Sequence, residues 1–222
     1  MLEKTQIRIV AGTLRGRKLN CVVHEGMRPT PQMVREALFS ILGNAVPGRV
    51  FYDVFAGTGV VGLEAVSRGA SSARLIEADS RQANDIQRYA NEFGIADKAQ
   101  VIKADVYRWA ERWVPVGAAP VNLFLSPPFP DLTEKAAEFL ALVRVLLEKA
   151  PAASVLTIQA EEGFPLDQVP HPAAWDVRHY GRNILMFLVK GDEVEPPPPA
   201  PTPAVVKVKA VAVVVEDAPA AP

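Results

Sequence analysis

The segment VNLFLSPPFPD closes an apolar, β-favouring run with Ser126-Pro127-Pro128-Phe129. Two prolines directly after a buried strand terminate it and stiffen the turn, so the carbonyls of Ser126 and Pro127 are expected to face a cleft with the ring of Phe129 beside them. A planar amine has a use for that turn. Its hydrogens need acceptors in the plane of the ring that carries them, and the ring itself stacks on an aromatic face. The plainer alternative is a proline-rich exit loop that happens to carry a phenylalanine.

A second chemical element lies upstream in YDVFAGTGVVGLEAVSRG, where a strand ends in Ala56-Gly57-Thr58-Gly59 and a helix begins at once. Small residues let the backbone approach a ligand closely, and the free amides of a helix start receive a carboxylate or phosphate. Gly57, Gly59 and Gly62 also satisfy the dinucleotide fingerprint GxGxxG, so the turn alone does not separate a methyltransferase from a dehydrogenase. Two acids follow. Glu77, in LIEAD, ends the next strand at the distance where a carboxylate accepts ribose hydroxyls, and nicotinamide cofactors share that ribose with S-adenosylmethionine. Asp105, in IKAD, ends a third strand, where its carboxylate could accept from an adenine amino group or simply cap the helix that follows. Hydride transfer has no obvious use for the Ser-Pro-Pro-Phe turn, which tips the balance toward an amine substrate.

Residues placed like this need a sheet whose strands all end on one edge. From about residue 50 to 190, short apolar runs alternate with longer amphipathic ones, the pattern of helices crossing between parallel strands. Strands are expected at 50–55, 72–77, 99–103, 121–125, 154–159 and 184–189, and helices at 59–67, 81–93 and 134–148. The fold class is therefore α/β, an open, mostly parallel sheet with helices on both faces. Ahead of it, QIRIVAGTLRGRKL reads as a small basic hairpin around Gly12 and Gly16 beside the ligand cleft, and QMVREALFSIL as a helix that Thr30 could cap, with Pro31 at its first position. Beyond residue 192 the Pro/Ala/Val-rich text, with four consecutive prolines, predicts a disordered tail. The chain divides into a basic arm over residues 1–30, a catalytic domain over 31–191 and a tail over 192–222.

Composition bounds the partners. The single cysteine, Cys21, excludes an internal disulfide framework, and three scattered histidines without a CxxC pair give no metal-ligand spacing, so no metal is expected. There is neither a signal-like leader nor an apolar run of roughly 18 residues, which predicts a soluble cytoplasmic protein without membrane contact. The formal net charge of -1 hides an asymmetry: up to residue 35 the chain carries Lys4, Arg8, Arg15, Arg17, Lys18, Arg28 and Arg35 against only Glu3 and Glu25. A polyanion should meet that N-terminal face.

The blocks RIVAGTLRGRKL, RPTPQMVREALFSIL, DVFAGTGVVGLEAVSRGA, SPPF and YGRNILMFLVK, in that order, resemble the bacterial 16S ribosomal RNA guanine-N2 methyltransferase family over about residues 6 to 190. The resemblance implies a seven-stranded class I methyltransferase sheet with a reversed final strand and an N-terminal hairpin that helps hold RNA. It implies S-adenosylmethionine as cofactor and, as partner, 16S RNA within a small-subunit particle, acted on by a monomer. Asp53 and the turn Phe55, Ala56, Gly57, Thr58 and Gly59 would surround the methionine part of the cofactor, Glu77 its ribose, and Asp105 with Val106 its adenine. Thr30 and Arg28 would lie near the cofactor or the target base, and Arg15, Arg17 and Lys18 would hold RNA phosphates. Ser126, Pro127, Pro128 and Phe129 would form the catalytic turn.

One position departs from that family: an Asp is usual where this chain has Ser126, and a hydroxyl is a weaker acceptor than a carboxylate. Rival readings are a methyltransferase-like RNA-binding protein without turnover, an amino-methyltransferase of DNA adenine or protein glutamine, and a nicotinamide-dependent oxidoreductase.

Overall fold

The computed structural model describes residues 3–23 and 27–191; the predicted tail falls outside the described residues. The chain opens with strands β1 (Glu3–Arg8) and β2 (Lys18–Val23), which pair antiparallel, Ile7 opposite Leu19. The hairpin thus reaches farther at both ends than the run read as Gln6 to Leu19. Inward-facing Leu19, Cys21 and Val23 alternate with outward-facing residues, as a half-buried strand requires.

Helix α1 (Gln32–Leu42) covers the run QMVREALFSIL read as a helix, and Val34, Leu38, Phe39 and Leu42 form its buried stripe. Its start differs from expectation. Pro31 occupies the N-cap and no side chain caps the helix, because the Thr30 hydroxyl is spent elsewhere. There follow β3 (Val50–Asp53), α2 (Val60–Ser67), β4 (Ser72–Glu77), α3 (Ser80–Glu92), β5 (Ala99–Lys103), α4 (Val106–Arg112), β6 (Asn122–Leu125), α5 (Phe129–Thr133), α6 (Ala136–Lys149), β7 (Val155–Glu161), β8 (Asp176–Tyr180) and β9 (Asn183–Val189). Asp79 caps α3 by accepting from the amides of Arg81 and Gln82, and Asp105 caps α4 by accepting from that of Arg108. Helix α5 and strand β8 were not located from the sequence pattern, and α4 was foreseen only as the helix that Asp105 could cap. The helices are too short to develop a clear period, and β8, DVRHY, is an edge strand whose polar residues face solvent.

The seven main strands lie in the order β5-β4-β3-β6-β7-β9-β8, parallel except that β9 runs against both its neighbours. From β3 the chain winds outward through β4 and β5, then returns to the other side of β3 with β6. That reversal opens a crevice at the carboxyl ends of β3 and β6, where an α/β sheet binds its ligands. One apolar cluster joins α1, α2, α3 and the hairpin to one sheet face; a second joins α4, α5 and α6 to the other. All eight residues of α2 are buried, since the hairpin covers the side turned away from the sheet.

The hairpin is fastened by polar contacts as well. Ser67 at the end of α2 takes the amides of Thr13 on its carbonyl (2.8 Å) and Leu14 on its hydroxyl (2.9 Å), and Tyr89 of α3 bonds both backbone groups of Asn20. Gly12 (φ +85) leaves no space for a side chain, because a Cβ there would lie 1.8 Å from the Ser67 carbonyl oxygen. Among the described residues no helix is long and apolar enough to cross a membrane.

Candidate active site

The crevice holds a cavity of about 920 Å³. Its wall begins at the end of β3, where Asp53 is 1 % exposed and accepts from the amide of Gly62 at 2.9 Å. The turn after it bends back through Ala56 and Gly57, and Gly59 enters α2 in the left-handed region at φ +72. Gly62 lies in the first turn of α2 against β4: a Cβ there would come within 2.5 Å of Leu75. This is the close helix-strand packing that the third glycine of the fingerprint serves. Gly59 itself does not line the cavity, and its part is to shape the turn; Asp53, Phe55, Ala56, Gly57 and Thr58 do line it.

At the end of β4, Glu77 accepts from the amides of Gly57 (2.7 Å) and Asp79 (2.8 Å), so its carboxylate clamps the glycine turn and also forms cavity wall. It does not cap α3, a role taken by Asp79. Burial pushes the pKa of Glu77 above the ordinary carboxylate value, although those amides oppose the shift. Burial acts more strongly on Asp53, which is pushed up to about 7 against the pull of the Gly62 amide and with a smaller push from Glu77. Asp105 both caps α4 and lines the cavity, with Val106 beside it.

Ser126, Pro127, Pro128 and Phe129 form the facing wall, and Phe129 stands 54 % exposed on it as the first residue of α5. That short helix is anchored by a 2.5 Å hydrogen bond from the Tyr107 hydroxyl to Asp131. Burial, and then this bond, raise the Tyr107 phenol well above its usual range, so it remains a proton donor. Thr30 and Arg28 reach the same cavity from the segment before α1, and Arg28 meets Glu161 at 2.9 Å.

Arg15, Arg17 and Lys18 lie elsewhere. The loop over residues 12–17 packs against Ser67, at the carboxyl end of α2, whereas the cavity is at that helix's amino end; eight residues at 1.5 Å each separate the two by about 12 Å. The three side chains are exposed, and Arg17 lies over the Phe93 ring.

Sequence reading missed Gln159 and Asn183. Gln159 is buried in β7 and lines the cavity. It accepts from the hydroxyls of Thr30 (2.9 Å) and Ser126 (3.2 Å), and donates to Asn183 at 3.1 Å. The available signal was a lone glutamine in the apolar run VLTIQA. Among the described residues no group of three or more His, Cys, Asp or Glu side chains is arranged to hold a metal.

Strand order, reversed β9 and a crevice lined by a glycine turn and strand-end acids define a class I methyltransferase fold. The model of the family described as conserved hypothetical protein 95 matches residues 7–189, and the chain belongs to that family. It is 34% identical over 171 residues to ribosomal RNA small subunit methyltransferase D of Haemophilus influenzae, covering 73% of this chain and 83% of that protein. To the protein of the same name in Escherichia coli it is 38% identical over 125 residues, an alignment spanning 56% of this chain and only 61% of the relative's length. A solved Escherichia coli structure, yhhF, described as a candidate methyltransferase, superposes with a TM-score of 0.66 at 26% identity, covering 85% of this chain and all of that one.

Proposed function

We propose that the chain transfers the methyl group of S-adenosylmethionine to the exocyclic N2 of a guanine in 16S ribosomal RNA of the small subunit. The observation that carries this reading is the meeting, in one cavity of about 920 Å³, of an acid-lined glycine turn and the Ser126-Pro127-Pro128-Phe129 turn. The relatives named for small-subunit RNA methylation support the choice of substrate.

The donor set suits the cofactor. Carboxylates at Glu77 and Asp105 succeed one another along the wall, an acceptor for ribose hydroxyls followed by one for an adenine amino group, with the apolar Val106 next to the second. Bound S-adenosylmethionine supplies an already activated methyl group, so the protein's task is alignment and exclusion of water. Guanine N2 is a poor nucleophile because its lone pair is delocalised into the ring. Ser126 Oγ and the Pro127 carbonyl would accept the amino hydrogens and thereby turn the nitrogen's electron density toward the methyl group; with the thioether as leaving group, the methylated nitrogen would then release one of those protons to solvent. Phe129 stacks on the base once it has left its helix.

Methyl transfer from radiolabelled S-adenosylmethionine to small-subunit particles from cells lacking this gene tests the reading. Label in N2-methylguanosine after digestion supports it. No label, with the cofactor still bound, overturns it in favour of an RNA-binding protein without turnover.

Two further outcomes are expected. A cofactor α-ammonium held beside Asp53 would favour the ionised carboxylate, which at pH 6 is mostly protonated because burial pushes its pKa up to about 7. Binding then has to expel a proton, so affinity rises with pH: S-adenosylhomocysteine should bind about tenfold tighter at pH 8 than at pH 6 by calorimetry, with the dependence flattened in Asp53→Asn. Equal affinity at both values would remove Asp53 from this role. Replacing Arg15, Arg17 and Lys18 together by alanine should lower the slope of log affinity for RNA against log salt by about 2, while cofactor affinity is unchanged. An unaltered slope would show that RNA does not reach that end of the hairpin.

A further inference from the structure

We infer that Gln159 is a positioning residue that converts Ser126 into a group able only to accept hydrogen bonds, and so selects an amine over a carbonyl at the reacting position. The inference rests on the proposed function and concerns how the same site tells its substrate from others.

A serine hydroxyl has one proton and two lone pairs, and can meet a ligand either as donor or as acceptor. Here the proton is committed. Ser126 Oγ donates to Gln159 Oε1 at 3.2 Å, and Thr30 Oγ1 donates to the same oxygen at 2.9 Å. Both lone pairs of the amide oxygen are thereby used. The amide is held in this orientation from its other side, where Nε2 donates to Asn183 Oδ1 at 3.1 Å, and Gln159 is only 8 % exposed, which leaves little room for turning over. A hydroxyl whose proton points into the protein presents lone pairs to the cavity. An exocyclic amine offers an N–H there and is satisfied; a carbonyl oxygen or unprotonated ring nitrogen would face lone pair against lone pair and lose its water without replacement. With Gln159 removed, the hydroxyl regains its donor option and both the alignment and the discrimination weaken. The arrangement also gives Ser126 a fixed direction that a lone serine lacks, which suits the place where the resembling family carries a carboxylate.

The test compares wild type, Gln159→Leu, Gln159→Glu, Ser126→Ala and the double variant Ser126→Ala/Gln159→Leu in single-turnover methyl transfer to small-subunit particles at pH 8. Calorimetric affinity for S-adenosylhomocysteine is measured alongside. Gln159→Leu should slow transfer about tenfold, the loss of one oriented hydrogen bond to a reacting group, with cofactor affinity unchanged within about twofold. Gln159→Glu retains an acceptor for both hydroxyls and should restore the rate to within about threefold of wild type. Because Gln159 acts through Ser126, the double variant should be no slower than Ser126→Ala. Should Gln159→Leu fail to fold, Asn183→Ala releases the amide from its outer side and should still slow transfer severalfold. Wild-type rates in Gln159→Leu, or in Asn183→Ala where it replaces that variant, overturn the inference alone, as do multiplying losses in the double variant or a Glu variant as slow as the Leu variant. Wild-type protein that transfers no label overturns the functional reading and this inference with it.

Discussion

Replacing Phe129 with alanine is expected to lower kcat/KM for RNA methylation by about 5- to 150-fold, the range that corresponds to the ~1–3 kcal/mol of one base stacked on one aromatic ring. The ring suits that role because it does little for the protein itself. It is 54 % exposed, yet it sits on the wall of the cavity at the first position of α5, directly after the two prolines. The turn is held without it, by the Tyr107–Asp131 hydrogen bond and by Leu132, buried one turn along. Stability should therefore change by no more than about 0.5 kcal/mol, as for other exposed substitutions. Phe129→Leu keeps apolar area but no π face and should recover little activity, whereas Phe129→Tyr should recover most of it. Initial rates at RNA concentrations below KM, with unfolding curves on the same samples, make the comparison. Turnover of the alanine variant within twofold of wild type would show that the base does not stack there.

Arg35→Met is expected to destabilise the fold by about 3 kcal/mol in urea unfolding. Arg35 is 2 % exposed and Glu64, its partner across 3.2 Å, is fully buried. The guanidinium also donates to the carbonyls of Thr30 (2.7 Å) and Arg8 (2.8 Å), and Glu64 takes the amide of Val10 and the side chain of Arg68. One buried cation thus joins α1, α2, the hairpin and the segment bearing Thr30. Methionine fills much of the volume but leaves two carbonyls without donors and Glu64 balanced only by the partly exposed Arg68. The loss belongs to the lower end of the range for a broken buried pair, because Arg68 remains. Removing both charges in Arg35→Met/Glu64→Leu should cost less than the two single losses added, since neither charge is then stranded. Strict additivity would mean that the pair is not coupled.

The resemblance named a usual Asp where Ser126 stands, and serine by itself is a poor acceptor for an amine. Its surroundings alter the judgement: Gln159 and Thr30 lie in contact with each other and Gln159 with Ser126, although these positions come from three distant parts of the chain. The basic loop shows the opposite outcome. Arg15, Arg17 and Lys18 read as neighbours of the cleft, yet the hairpin runs back along α2 and puts its loop at the far end of that helix, leaving Arg28 as the member of the basic group that lines the cavity.

What the sequence by itself determined is whatever depends on a few consecutive residues. The glycine turn needs Gly57 and Gly59 at positive φ and Gly62 without a side chain. The acids at strand ends follow from a strand's apolar run stopping at a polar residue, and α1 follows from the run QMVREALFSIL, although Pro31 stands at its N-cap and not at its first position. Only the tertiary structure decided the rest. Which strand ends become neighbours depends on sheet order, and no local pattern states that β7 lies beside both β6 and β9. That adjacency brings Gln159 to Ser126 and Asn183. Burial raised the pKa of Asp53, and the packing of α1 against α2 decided that Arg35 would lie beside Glu64. Hydrogen-bond partners and dielectric surroundings are properties of the assembled sheet, since they come from groups that folding alone makes adjacent.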